Sequence, residues 1–263
     1  MIKNPTYIAE LVTSRCSIEL LVNGVPTFNN FEEGTVSVDW NLNLLILKKG
    51  IQNLTLRVMP LKGESVIQEK ALARIKVVVR ESVEEYVPQE VIKEEYEINF
   101  YEKKNMPLFV FNTTFTADIS NQFNGWRNSV DLSNESEEKL FSEVMRWNKK
   151  LLTMHHNSDT ENYLKAFGSK NKEVYKALYL NDQEIEGENR SIFNPNDKNL
   201  VSLENDLYKL EFFAENKLVS VRLPYELPGF RYNPHEINDE AFGFSLNVYF
   251  HRRSPESNLE IIR

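Results

Sequence analysis

The period of the hydrophobic pattern changes once along this chain, and that change limits what it can fold into. Through the first 120 residues the apolar positions recur every second residue in short runs, and from residue 134 they recur every third or fourth. The first spacing suits strands with one buried face, and the second suits amphipathic helices. Two parts built on different principles are therefore expected within the 263 residues, a length that holds two domains of ordinary size.

Ser17 to Val22 runs into Asn23 and Gly24, the pair that best supports a tight hairpin turn, and the chain resumes at Val25, where Pro26 marks an edge strand. Thr35 to Trp40, Leu54 to Met59 and Leu72 to Val79 alternate in the same way. Tyr96, Ile98 and Phe100 alternate inside an acidic stretch, and Leu108 to Phe111 and Phe115 continue the series. Short strands at this spacing predict an all-β, sandwich-like domain over residues 1–120, without the cysteine and tryptophan spacing of immunoglobulin domains. Asn121 to Asn128 has turn residues and no period, which makes 121–133 a linker containing Trp126.

Beyond it, Asn134 with Glu137 three residues on can open a helix whose Leu140, Phe141, Val144, Trp147, Leu151 and Met154 share one face. Asp159 opens a second helix that Gly168 can end, and Val174, Tyr175, Leu178 and Tyr179 suggest a third. Residues 181–197 read as an exposed acidic loop. Leu207 to Phe213 and Leu218 to Leu223 flank a turn and read as a hairpin, Phe242 to His251 as one long strand, and Leu259 to Ile262 as a last edge strand. Residues 134–263 are thus predicted to form an α+β domain, about three helices packed on a curved antiparallel sheet.

Pro224 to His235 separates the hairpin from the long strand and reads as a loop, too rich in proline for a helix or an inner strand. It gathers Tyr225, Phe230, Arg231, Tyr232 and His235, residue types that include those enriched at binding hot spots. With Trp126 they form the candidate binding set. The competing reading is that the aromatic residues of this loop simply cover an open end of the core.

The chain carries 31 Lys+Arg against 39 Asp+Glu, a net charge of −8. Such a chain lacks the basic surface that phosphate neutralisation demands, so nucleic acid is not an expected partner. A basic protein is, because acidic surface speeds encounter with a cationic one. Residues 131–263 account for most of the excess acid, and Glu81 to Glu102 holds acidic side chains against Lys93 alone, a solvated face or a docking surface. No stretch approaches about 18 consecutive apolar residues, and Met1 to Pro5 starts no basic-then-apolar leader. The expectation is a cytoplasmic protein without a membrane segment. Cys16, the single cysteine, cannot form an internal disulfide and reads as a small strand residue.

No glycine-rich phosphate loop, G-x-S-x-G elbow or H-E-x-x-H helix occurs, and one cysteine is too few for a cysteine-rich metal site. Neither cofactor nor metal is expected. His155 and His156 diverge by about 100° on a helix and are assigned to its C-terminal carbonyls. His251 is expected on the solvent face of its strand. These readings point to a non-catalytic, bacterial-type interaction protein, an adaptor or a toxin-neutralising immunity protein, that binds a basic partner. A homodimer through a sheet edge is compatible with it. Two alternatives stand beside it: a carbohydrate-binding module with Trp40 or Trp126 as stacking platform, and a small enzyme with a pocket under the 224–235 loop.

Overall fold

The computed structural model describes residues 2–31, 35–82, 90–103, 105–235 and 243–262. The chain forms two compact units: Met1–Phe123 with Ala177–Tyr179 and Tyr225–Leu227, and the remainder. Among the described residues no helix is long and apolar enough to cross a membrane.

The first unit is built mainly of antiparallel strands, with one 3-10 turn at Asn43–Leu45. In chain order these are β1 (Pro5–Ser14), β2 (Ser17–Val22), β3 (Val25–Asn30), β4 (Val36–Asn41), β5 (Gly50–Met59), β6 (Leu72–Glu81), β7 (Glu90–Asn99) and β8 (Phe109–Ala117). They make two four-stranded sheets, ordered β4-β1-β6-β7 and β3-β2-β5-β8. Period-two patterning explains the core: Leu54, Leu56 and Val58 of β5 and Ala73, Ile75, Val77 and Val79 of β6 are buried on one face. Burying each of the larger ones contributes about 1.5–3 kcal/mol. Tyr7 of β1 meets Phe115 of β8 with ring centroids 5.7 Å apart. Asn23 and Gly24 take the expected turn, both with positive φ (51° and 77°). The central β1 pairs with both β4 and β6; its sequence gave no alternation to find it by, because it is covered on most positions. Cys16 follows β1, fully buried, and burial pushes its thiol up to about 11. A thiol reagent at pH 8 should leave the folded protein unmodified and react with this residue only in denaturant.

The second unit opens with α1 (Glu137–Asn157), α2 (Thr160–Ala177) and α3 (Asp182–Arg190), followed by β9 (Leu200–Ser202), β10 (Lys209–Phe213), β11 (Leu218–Arg222), β12 (Gly229–Pro234), β13 (Phe244–Asn247), β14 (Tyr249–His251) and β15 (Glu260–Ile262). The strands form two sheets, β10-β11-β14-β15 and β13-β12-β9. Leu140, Val144, Leu151 and Met154 of α1 share a core with Val219, Val221, Phe230, Tyr232, Phe250 and Ile261. The expected hairpin is present as β10–β11, with Phe213 opposite Leu218, and Ala214, Glu215 and Asn216 all adopt positive φ in its turn.

Four local expectations change. The helix through Gly168 does not end there, so the second and third predicted helices are the single α2. The third helix is α3, in what read as a loop. Its Asn181 accepts from the Glu184 amide while the Glu184 side chain accepts from the Asn181 amide, a capping box that stabilises a helix lacking any buried residue. The stretch 224–235 is not all loop: β12 is the middle strand of its sheet. Its prolines stand before it or at its last position, where the ladder is not broken, and Gly229 opens it at φ +147°, with a side chain there meeting the Leu246 carbonyl oxygen at 2.1 Å. Finally, the long C-terminal strand is two strands in two sheets, β13 paired with β12 and β14 paired with β11 and β15, joined through the fully buried Val248. Phe242 lies outside the described residues.

Candidate functional site

The six candidate binding residues do not stand together. Tyr225 groups with the first unit and the other five with the second. Tyr225 is 50% exposed, its ring edge-on to Phe31 and 5.6 Å from the Lys62 Nζ. Phe230 and Tyr232 are buried on one face of β12, and the Tyr232 hydroxyl donates to the Asn148 carbonyl. Arg231 is half-buried, donating from Nε to Asn233 Oδ1 and from Nη1 to Ser245 Oγ. His235 is exposed, its amide donating to the Asn199 carbonyl. Trp126 is buried, and Trp40, half-buried, donates its indole N–H to Thr27 Oγ1.

The three other histidines each make a polar contact within the second unit. His155, 3% exposed, bonds through Nδ1 to Asp197 Oδ2 at 2.7 Å, inside a ring of Tyr163, Phe193, Tyr232 and Phe244. Asp197 is fixed by its own short 3-10 helix, Pro195–Asn199, and also accepts the Asn194 amide. His156 bonds through Nε2 to the Leu200 carbonyl at 2.6 Å. Both rings therefore tie α1 to the segment at 197–200 instead of capping α1, which ends on the left-handed Ser158. His251 is likewise buried, against expectation, because both faces of β14 are covered. Its Nδ1 lies 2.6 Å from Ser129 Oγ. Among the described residues His155 Nε2 and His251 Nε2 are buried without a hydrogen-bond partner, so each ring is held from one side in a closed environment.

Burial holds the His251 imidazole below its ordinary value of 6.5. The unfolded chain then binds this proton more readily than the folded one, so the stability tied to neutral His251 is present above pH 6.5 and declines as the pH falls through and below that value. Urea midpoints measured from pH 8 to pH 5 should show a shallower decline for His251→Gln than for the wild type.

The open chemistry lies on the first unit. Strands β7 and β8 each end their own sheet, and they are neighbours: Tyr96 stacks on Phe111 with centroids 4.0 Å apart and planes at 4°, and Phe100 meets Phe109 edge-on at 5.7 Å. Tyr96 and Val91 on β7, Leu108 and Val110 at β8, and Ile51 on the adjoining β5, 72% exposed, leave apolar area uncovered. Glu90, Glu94, Glu95 and Glu97 are exposed on the same β7. Arg74, half-buried, lies 3.9 Å from both Glu95 and Glu97, at the limit of an ion pair with two exposed carboxylates. Within the acidic stretch, Glu90–Asn99 is thus a strand at a sheet margin, with aromatic and aliphatic area beside it, while Glu84 and Glu85 lie outside the described residues. No group of three or more His, Cys, Asp or Glu that could hold a metal ion occurs among the described residues.

Comparison with protein-family models, with curated proteins and with solved structures finds no match to the chain.

Proposed function

We propose that the protein is a non-catalytic interaction protein that engages a basic protein partner along the β7–β8 margin of its first unit. The observation that supports this reading is the exposure of four glutamates on a terminal strand beside uncovered Val91, Tyr96, Leu108 and Val110. Apolar and aromatic area supplies affinity on desolvation, while the acidic side chains raise the encounter rate and select for a cationic partner. An adaptor and a toxin-neutralising immunity protein both fit; they differ in whether the partner is an enzyme silenced by binding.

Affinity capture from the host lysate, followed by measured binding of the purified partner, tests the reading. The wild type should retain a protein with a basic binding surface, more weakly as salt rises. The variant carrying Glu94→Lys, Glu95→Lys and Glu97→Lys, with an unchanged thermal midpoint, should lose it. Equal retention by both would remove the proposal.

A further inference from the structure

Of the four terminal strands of the first unit, three carry devices that discourage a further strand. β3 is short, contains Pro26 and has a register shift against β2. β4 is short and carries the exposed Asp39. β7 carries four glutamates and two register shifts against β6. Charge, proline and irregular pairing are the usual protections of a sheet edge. β8 has none: nine residues, Phe109–Ala117, without charge, proline or glycine, in unbroken register with β5 from Val58 opposite Phe109 to Gly50 opposite Ala117.

The register also fixes which backbone groups of β8 are free. The Asn23 amide donates to the Asn53 carbonyl, and the Asn53 amide donates to Asn23 Oδ1, so the Asn53 backbone points away from β8. Directly opposed residues of an antiparallel pair either bond each other or both point outward. Thr114, opposite Asn53, therefore points its N–H and C=O outward, as do Val110, Asn112 and Thr116 at the same parity. All four are exposed.

We infer that β8 accepts an extended, lysine- or arginine-bearing segment of the partner as an added strand. This rests on the proposed interaction with a basic partner and states how it is made. Charge selects the occupant. A strand added to β8 stands next to the acidic β7 margin, whose Tyr96 meets Phe111 while Glu95 and Glu97 alternate to the other face with Arg74, so the attraction acts through the field of that margin and favours a strand that carries cations. A second copy joined β8 to β8 would instead bring two glutamate-bearing β7 margins together.

The test uses the full chain and a capped ten-residue peptide of alternating threonine and lysine, against its glutamate counterpart and a form N-methylated on alternate residues. The lysine peptide should bind at least about tenfold more tightly than the other two, since N-methylation removes the ladder hydrogen bonds. It should also slow hydrogen exchange at Val110, Asn112, Thr114 and Thr116. Thr114→Pro deletes one outward N–H without touching the β5 ladder and should weaken binding by roughly tenfold, whereas Thr114→Val, which keeps the amide, should not. Equal binding of the N-methylated peptide, with unprotected β8 amides and sensitivity only to the glutamate reversal, overturns strand addition and leaves the basic partner standing. Absence of binding to any peptide overturns strand addition, and the lysate capture then decides the partner separately. Protection of β8 that grows with protein concentration, together with a sedimenting dimer, overturns it in favour of a second copy.

Discussion

Replacing Arg252 with methionine is expected to lower the folding stability by about 3–5 kcal/mol, read from urea unfolding. The guanidinium is 3% exposed and holds a network: Nε donates to Glu135 Oε1 at 2.7 Å, Nη2 to Glu135 Oε2 at 3.0 Å and to Glu143 Oε1 at 2.8 Å, and Nη1 to the Ser257 carbonyl. Glu143 lies on α1 and Glu135 just ahead of it, so the arginine fastens the start of that helix to the strand end at β14. Methionine keeps the length of the stem but leaves two partly buried carboxylates facing each other, with only the exposed Lys139 still within 3.7 Å of Glu135. Adding Glu135→Gln and Glu143→Gln should recover more than half of the loss, because most of the cost is the unpaired charge and not the lost attraction. A single-variant loss below about 1 kcal/mol would class the network with exposed ion pairs.

The second large effect is expected at Asp197. Asp197→Ala should cost about 3 kcal/mol or more, because the His155 ring loses its polar partner while Nε2 already has none among the described residues. Part of that cost belongs to the lost acceptor for the Asn194 amide. Adding His155→Phe should therefore restore only a portion: phenylalanine suits the surrounding Tyr163, Phe193, Tyr232 and Phe244, but the Asn194 amide stays without its carboxylate acceptor, although the Asn194 side chain still caps the 3-10 turn through the Asn196 amide. If the double variant is no more stable than the single one, the imidazole contributes by packing and not through Asp197.

The two-part division and the strand and helix types were legible because patterning decides them locally. What failed had local exceptions. Gly168 costs about 1 kcal/mol inside a helix and was read as its end, yet α2 runs through it. Asn181 and Glu184 spell a capping box, but α3 has no apolar face to mark it as a helix. Pro224, Pro228 and Pro234 masked β12, although Phe230 and Tyr232 had the alternation of a strand. The polar pairs were out of reach for another reason: His155 and Asp197 are 42 residues apart, and Ser129 and His251 122, so only the fold joins them. The acidic stretch was visible as composition. That it borders an unguarded strand was not, since the edge status of β8 is a property of sheet order.

The strand pair that crosses from one sheet to the other at Val248 also sets a timetable. The core that covers α1 includes Val248, Phe250, Leu259 and Ile261, so a nascent chain that has just made α1 cannot close its second unit until more than a hundred further residues have left the ribosome. Over that interval Leu140, Val144, Leu151 and Met154 await their cover, while all eight described strands of the first unit, β1 to β8, have already been synthesised. The apolar face of α1 is thus the surface of the second unit that waits longest for its partners during synthesis.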